Sequence, residues 1–288
     1  MTPAQDATIH RRRLRSELRR ARAEAGLTQN DVAKAMDWSL SKVIRIESGN
    51  VGISTNDLKV LLQNYGIVDP GKVDHFLQLA RAGKEQRGWW TGYRELVGKQ
   101  YLTFLGFESS ASVIQLFQPL LIPGLLQEDE YARAVLRAYG GSATEERVEE
   151  LVQLRMQRQM ELNDSSNPPE MIFVMDEAAL HRWVGGRDVM RHQLQRLKEE
   201  AGRDNVTIEI VPFRAGAHPG MKGPFAILEF ADARDEDVLY LEDSRGDTIS
   251  RDEEAEIKPY REAFAQLREL ARDQDLEAMI DKALKQMA

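Results

Sequence analysis

Residues 28–49 constrain the fold of this chain more than any other stretch, because they predict two short helices joined by a tight bend. Thr28 is the expected N-cap of the first helix, and Asp31 completes a capping box, in which each side chain bonds the other's free backbone amide. The pair Asp37-Trp38 forms the bend. Ser39 is then the expected N-cap of the second helix. The stretch therefore predicts two helices whose relative direction is fixed by a two-residue turn.

The second helix of this stretch is predicted to have an apolar back and a polar, basic front. Val43 and Ile46 point inward, and Gly49 ends the helix where a left-handed backbone is usual. Four side chains remain outside: Leu40, Ser41, Lys42 and Arg45. A helix with this surface fits the major groove of B-DNA, so the pattern predicts DNA binding. Leu40 has two open interpretations, contact with a thymine methyl or packing on its own domain.

From about Arg11 to Gly83 the chain resembles the XRE (Cro/cI-like) family of phage-repressor helix-turn-helix proteins. The shared elements are Arg22, Gly26-Leu27-Thr28-Gln29, the helix Ser39–Arg45 and Ile46-Glu47-Ser48-Gly49. The resemblance implies a structural ion pair between Arg22 and Glu47, and it places Gln29 near a phosphate. The implied DNA-binding residues are Thr28, Gln29, Ser39, Leu40, Ser41, Lys42 and Arg45. Family members often have a basic loop after the closing glycine, whereas residues 50–53 carry no charge here.

Positive charge is concentrated at one end of the chain. Residues 1–88 carry 15 Lys and Arg against 10 Asp and Glu, whereas residues 89–288 carry 24 against 37. The first segment is net positive by 5 and the second net negative by 13, which gives the total of −8. This division suits attraction of phosphate at one end, while the acidic remainder repels DNA. DNA contact is therefore expected only in the first segment.

Composition excludes several other classes of protein. The chain has no cysteine, which excludes disulfides and zinc sites built on cysteine. None of its five histidines falls in a metal-ligand spacing, and no nucleophile elbow, P-loop or dinucleotide fingerprint is present. We therefore expect no enzymatic activity, no metal and no cofactor. No apolar run reaches the length of a membrane span and no signal-peptide core is present, so we expect a cytoplasmic protein without a membrane partner.

The pattern of helices and strands predicts an α+β chain in two domains. An all-α domain at residues 1–83 is followed by a linker at 84–88 and a helix-and-sheet domain at 89–288. The helices expected in the first domain are about 9–25, 28–36, 39–48, 55–65 and 70–83. Those expected in the second are about 128–139, 144–162, 176–183, 188–201, 253–272 and 274–287. The expected strands, of a small mixed or antiparallel sheet, are 171–175, 206–213, 225–230 and 238–242.

Six ordered motifs of the second domain resemble one group of regulators. They are Gly88-Trp89-Trp90, Phe107-Glu108, Leu121–Gln127, Tyr131–Ala134, Asp176–Leu180 and Ala215–Gly220. They occur in this order in the WhiJ-like group of actinobacterial XRE regulators, whose C-terminal domain has no characterised function. The resemblance covers nearly the whole chain and implies control of development or antibiotic production. It also implies, as in many members, a small separately encoded partner protein, in pairs described as antitoxin-toxin-like.

The second domain offers one candidate site for a ligand or partner. The loop 215–224 contains His218 and Lys222, which could meet an anion among small residues that expose backbone amides. The other interpretation of this loop is a wide hairpin connection that needs glycine and proline only for its turns. Three aromatic residues either complete the site or form a domain-joining core: Trp89, Trp90 and Tyr93.

These observations lead to two functional hypotheses. In the first, the protein is a sequence-specific transcription regulator that binds an inverted-repeat operator in double-stranded DNA as a homodimer, with half-sites about one helical turn apart. Its acidic second domain dimerises and receives a signal from a small-molecule effector or a partner protein. In the second hypothesis the protein is antitoxin-like: it neutralises a small partner protein, and DNA binding serves to autoregulate its operon.

Overall fold

The computed structural model describes residues 7–48, 51–85, 88–141, 143–165, 167–232, 234–242, 248–250 and 254–287. The chain divides into two compact units, Met1–Thr91 and Gly92–Ala288. The last helix of the first unit continues to Glu85, into the linker expected at 84–88. The division between the units lies a few residues after that expected linker. Gly49, the expected end of the second short helix, lies outside the described residues.

Five helices make up the described part of the first unit, close to the positions that the sequence predicts. They are α1 (Ala7–Glu24), α2 (Gln29–Ala35), α3 (Leu40–Glu47), α4 (Thr55–Asn64) and α5 (Pro70–Glu85). The side chains of Thr28, Ser39 and Ser54 cap α2, α3 and α4 by accepting from backbone amides three residues later. The helices enclose one apolar core, in which Leu58 and Leu62 are fully buried.

The second unit combines helices with a six-stranded sheet in its described residues, which confirms the α+β class. Its helices are α6 (Lys99–Glu108), α7 (Asp129–Tyr139), α8 (Glu145–Asn163), α9 (Ala178–His181), α10 (Arg187–Ala201), α11 (Glu254–Ala271) and α12 (Leu276–Gln286). Its strands are β1 (Val113–Gln118), β2 (Glu170–Asp176), β3 (Val206–Val211), β4 (Phe225–Glu229), β5 (Val238–Leu241) and β6 (Thr248–Ser250). No helix among the described residues of the chain is long and apolar enough to cross a membrane.

The sheet is mixed, with the strand order β3-β2-β1-β4-β5-β6. Strands β1, β2 and β3 run parallel, whereas β4, β5 and β6 are joined antiparallel. Alternate residues of each strand point to opposite faces, so the sheet separates two apolar layers. On one face Phe117, Ile172 and Ile227 pack against Phe264 and Leu267 of α11. The other face carries the layer that contains α6 and α8, where the second unit has a partly open cavity.

Some elements of the second unit are missed or overextended by the sequence prediction. Helix α6 lacks a one-sided apolar pattern because its residues 104–108 are all buried. Strand β1 does alternate, with Ile114 and Leu116 buried, but it runs directly into further apolar residues. Strand β6 has only three residues. The helix expected at 176–183 is a single turn, Ala178–His181.

The loop 215–224 is not a hairpin connection, so that interpretation is wrong. It joins β3 to β4, and the strands β2 and β1 lie between these two in the sheet. At Gly220 the loop packs against the side chain of Phe117 in the interior strand β1, and a Cβ atom there would stand 2.2 Å from Cζ of Phe117. Only glycine allows this close approach. Gly220, the last residue of the Ala215–Gly220 motif, is therefore required by packing.

Candidate nucleic-acid interface

The bend between α2 and α3 is closed by a residue in the left-handed conformation. Asp37 has a φ of 52°. Its backbone N–H donates to the carbonyl of Lys34 at 3.3 Å, and the N–H of Trp38 donates to the carbonyl of Ala33 at 2.9 Å. These two bonds form a Schellman motif, which satisfies the last carbonyls of α2. The bend therefore fixes the direction in which α3 leaves α2.

Helix α3 presents an exposed face of four side chains at helical spacing. We call Leu40, Ser41, Ile44 and Arg45 the α3 face, because all four are exposed. Leu40 is 38% exposed and Ile44 is 43% exposed, so a large apolar surface stands beside Ser41 and Arg45. Ile44 is absent from the residues that the sequence predicted. The helical spacing of four from Leu40 is the signal that could have found it.

Hydrogen bonds between residues close in sequence orient α3 and its exposed side chains. The backbone N–H of Lys42 donates to Oγ of Ser39 at 3.2 Å, which caps the helix at its start. Nε of Arg45 donates to the carbonyl of Ser41 at 3.3 Å, so the guanidinium lies along the outside of the helix. The Nη donors of Arg45 have no acceptor in the described part of the chain. They are therefore open to a ligand.

Lys42 lies beside the α3 face and is engaged within its own unit. Its Nζ is 3.2 Å from Oδ2 of Asp57 in the first turn of α4. The same ammonium lies 3.7 Å from the centroid of the Trp38 ring. An ion pair and a cation–π contact therefore hold this side chain between the bend and α4. A DNA phosphate has to compete with Asp57 to bind Lys42.

A buried ion pair joins α1 to the end of α3. Nε and Nη2 of Arg22 donate to the two carboxylate oxygens of Glu47 at 2.7 and 3.1 Å, and Nη1 donates to the carbonyl of Leu27 at 2.8 Å. The Glu47 side chain is only 3% exposed. The hydrogen bond to Glu47 raises the pKa of the Arg22 guanidinium. Gln29 contributes as well, because its Nε2 donates to Oε2 of Glu47 at 2.8 Å.

The N-terminus of α2 carries a carboxylate. The N–H and Oγ1 of Thr28 donate to Oδ2 of Asp31 at 2.9 and 2.6 Å, and the N–H of Asp31 donates to Oγ1 of Thr28 at 3.2 Å. These bonds from the Thr28 hydroxyl and amide lower the pKa of the Asp31 carboxyl. A phosphate that approaches Thr28 or Gln29 therefore meets the negative charge of Asp31.

Of the candidate residues in the loop 215–224, His218 has a buried side chain and Lys222 is exposed. Nε2 of His218 lies 3.0 Å from Oδ2 of Asp176, at the end of β2. The imidazole ring also packs edge-on against Phe117. The His218 side chain is therefore part of the packing that holds the loop over the sheet.

The three aromatic candidates are divided between the two units. Trp89 and Trp90 lie near the end of the first unit, with ring centroids 5.8 Å apart in an edge-to-face contact. Tyr93 belongs to the second unit, and its hydroxyl donates to Oε1 of Gln157 at 2.6 Å. Neither these three residues nor His218 and Lys222 line the cavity of the second unit. Within the described residues, no group of side chains could hold a metal ion.

The geometry of the first unit defines a class of protein. Two short helices joined by a tight bend, the second with an exposed face, form a helix-turn-helix, whose second helix enters the DNA major groove. The family described as "Helix-turn-helix domain" matches residues 13–76, which include α2 and α3. The chain is therefore a DNA-binding regulator of the helix-turn-helix class, with an XRE-like reading domain.

The second unit identifies the family. The chain belongs to the family described as "Domain of unknown function (DUF5753)", which matches residues 101–277, more than half of its length. The match covers the whole sheet and most of the surrounding helices. No curated protein and no solved structure gives a significant match to the chain.

Proposed function

We propose that the protein is a sequence-specific transcription regulator that binds an inverted-repeat operator as a homodimer. The observation that carries this proposal is the α3 face, on a helix capped at its start and ion-paired to α1 at its end. A helix fixed at both ends holds its exposed side chains in a constant arrangement. Such an arrangement suits the reading of base edges in the major groove.

The chemistry of the α3 face supports direct reading of bases. Arg45 can donate two hydrogen bonds to O6 and N7 of guanine, which is the commonest specific contact in DNA complexes. Leu40 and Ile44 present methyl groups that suit the methyl group of thymine, and Ser41 can pair with several bases. We therefore infer that Arg45 sets the strongest base preference. Lys42 and Gln29, which are engaged with Asp57 and Glu47, contribute less.

The division of charge supports different roles for the two units. The net positive segment 1–88 is attracted to phosphate, while the net negative segment 89–288 is repelled by it. We infer that the second unit forms the dimer contacts and receives a signal. A twofold axis would then present two α3 helices to successive major grooves. The resemblance to WhiJ-like regulators supports a role in development or secondary metabolism.

A binding selection on fragmented genomic DNA tests this proposal. Purified protein is mixed with the fragments at two salt concentrations, and the bound DNA is sequenced. We expect one palindromic motif to be enriched and to persist at the higher salt, because base contacts depend less on counterion release than phosphate contacts do. Uniform binding that salt abolishes would contradict the proposal.

The matched control for this experiment changes only the α3 face. It carries Leu40→Ala, Ser41→Ala, Ile44→Ala and Arg45→Ala, and it keeps the cap at Ser39 and the Arg22–Glu47 ion pair. Alanine favours helix, so α3 is expected to remain folded. We expect this variant to lose the motif and to retain weak, salt-sensitive binding.

A small molecule is the favoured signal, because the second unit has a partly open cavity of about 1010 Å³. The antitoxin-like function makes a different prediction. It requires a small, separately encoded protein that co-purifies with the chain in a fixed ratio. Such a protein, together with no ligand-induced shift in melting temperature, would move the antitoxin-like function to first place.

A further inference from the structure

The cavity of the second unit lies on the sheet face opposite α11. Leu116, Ala226 and Tyr240 form its floor, because they lie in register on the adjacent strands β1, β4 and β5. Helices α6, α7 and α8 and the segment 118–127 form its walls. A volume of about 1010 Å³ is at the top of the range usual for small-molecule sites. The cavity is therefore large enough for an organic ligand.

Two arginines of α8 interrupt the largely apolar wall, and their surroundings differ. Nε and Nη2 of Arg158 donate to the two carboxylate oxygens of Glu108 at 2.6 and 2.5 Å, so its charge is neutralised within the protein. Arg155 has no such partner, since no carboxylate lies within ion-pair distance of it in the described part of the chain. Its Nη1 donates to Oε1 of Gln127 at 2.6 Å, which is a neutral acceptor.

Arg155 is therefore a cation beside a largely apolar cavity, and some of its hydrogen-bond donors have no acceptor among the described residues. It lines the cavity and keeps part of its surface accessible. Burial lowers the pKa of its guanidinium, so the surroundings disfavour the charge. A cation removed from water is costly unless a counter-charge accompanies it. An anionic group on a molecule that fills the cavity would supply this counter-charge.

The remaining charge on the cavity wall restricts where an anion can bind. Glu242 is the one carboxylate among the described lining residues, and its side chain is exposed at the end of β5. It forms no ion pair with Arg155 among the described residues, but its negative charge acts on that guanidinium and opposes part of the lowering of the pKa that burial causes. An anion is attracted by Arg155 and repelled by Glu242, so it is expected to bind in direct contact with the Arg155 guanidinium, where the attraction is strongest.

We propose that this cavity binds an organic carboxylate with a large apolar body. Arg155 donates two parallel hydrogen bonds to the carboxylate, a geometry that the planar guanidinium matches. The apolar body lies against the floor strands and against side chains such as Phe104 and Leu154. This inference rests on the proposed signal-receiving role of the second unit, and it names the chemical class of the signal.

Isothermal titration calorimetry on the full-length protein without DNA tests the proposal. The probes are decanoate with decanamide, and 1-naphthaleneacetate with 1-naphthaleneacetamide; each pair shares a skeleton and differs in charge. We expect each carboxylate to bind at least about tenfold more tightly than its amide, because only the carboxylate pairs with a cation. We expect Arg155→Met to remove this preference and Arg155→Lys, which keeps the charge, to retain part of it.

Arg133→Met is the matched control variant. Arg133 is ion-paired with Asp129 and Glu149 on the outside of the second unit and does not line the cavity. We expect it to leave both affinities unchanged. Equal affinity of the wild type for carboxylate and amide, absence of carboxylate binding, or an unchanged preference in Arg155→Met would each overturn the proposal. If Arg155→Met does not fold, the wild-type comparison and Arg155→Lys decide the question.

Operator binding by the same protein preparation separates this inference from the proposed function. Operator binding without carboxylate binding would overturn the ligand assignment and leave the regulator proposal standing. Carboxylate binding without operator binding would leave the ligand assignment standing and overturn the regulator proposal.

Discussion

Arg45 carries the longest side chain and the one positive charge of the α3 face. Its guanidinium is held along the helix by the bond from Nε to the carbonyl of Ser41, which leaves the Nη donors open to a ligand. Guanine offers two acceptors at matching separation, whereas the apolar side chains of Leu40 and Ile44 distinguish bases by a methyl group alone. We therefore expect the base preference of the protein to depend chiefly on this residue.

Arg45→Ala tests this expectation. We expect the selected operator to bind more weakly by about 1–3 kcal/mol, with relaxed preference at one base position, because a bidentate contact is lost. Fluorescence anisotropy on the operator and its single-base variants measures both effects. Arg20→Ala is the control, since Arg20 is exposed on α1, outside the α3 face. A uniform loss over all sequences would reassign Arg45 to a phosphate contact.

The pair Arg22–Glu47 shows why a structural residue can lie within a functional motif. Glu47 accepts hydrogen bonds from both Arg22 and Gln29, so three side chains from three helices meet at one buried carboxylate. The carboxylate is the last residue of α3. Glu47 therefore holds α3 against α1, and it does not itself face the bases.

Glu47→Gln is expected to destabilise the first unit by about 3 kcal/mol, because it leaves the Arg22 cation without its counter-charge. The double variant Arg22→Met/Glu47→Met removes both charges and should be less destabilised than the single variant. Urea denaturation of residues 1–88, followed by circular dichroism, measures both. A single variant as stable as the wild type would indicate that the ion pair contributes nothing to the fold.

The bend between α2 and α3 begins with a type of helix end that occurs three times in the first unit. Helices α1, α2 and α4 all end in a Schellman motif with one left-handed residue. This residue is Gly26 after α1 and Gly66 after α4, but Asp37 after α2. An L-residue with a Cβ atom is strained in this conformation, and aspartate tolerates it better than most. The bend that orients the α3 face is therefore the strained member of the set.

Substitutions at Asp37 are predicted to follow this strain. Asp37→Gly should stabilise the first unit by about 0.5–1 kcal/mol, and Asp37→Val should destabilise it by about 1–2 kcal/mol, because a β-branched residue fits the left-handed region worst. Asp37→Asn is the control and should change little. Thermal denaturation measures the order. If the valine variant equals the wild type, the bend does not require a left-handed residue.

The helices of the first unit were predictable, whereas several elements of the second unit were not. Caps such as Thr28 and Ser39 act within three residues, so sequence reveals them directly. The apolar spacing of α3 likewise predicts most of the α3 face. In contrast, α6 is buried on most sides, and β1 becomes a central strand only through its neighbours β2 and β4. Neither the burial of α6 nor the interior position of β1 can be predicted from the residue pattern of the element itself.

At the scale of the whole molecule, the two units are expected to divide reading from assembly. The first unit has its own apolar core of five helices, so residues 1–88 should fold alone. The second unit has a separate core on its sheet. Because only residues 1–88 are net positive, DNA contact should remain with this fragment.

Separating the fragments tests this division. We expect residues 1–88 to bind the operator at least about a hundredfold more weakly than the full chain, because two linked half-site contacts are replaced by one. Residues 89–288 should dimerise and leave DNA unbound. Anisotropy measures the affinities and analytical ultracentrifugation the masses. Full operator affinity in residues 1–88 alone would contradict dimerisation through the second unit.

The sequence by itself determined the helix-turn-helix, most of the exposed residues of the α3 face and the uneven charge. These features depend on capping bonds, apolar spacing and charge counts, all of which are local or additive along the chain. Only the tertiary structure decided that Lys42 pairs with Asp57, that the loop 215–224 packs against Phe117 of β1, and that Arg155 lines a cavity without a carboxylate within ion-pair distance among the described residues. These features join residues far apart in sequence. Strand order and helix packing bring them together, and no pattern within a single element specifies either.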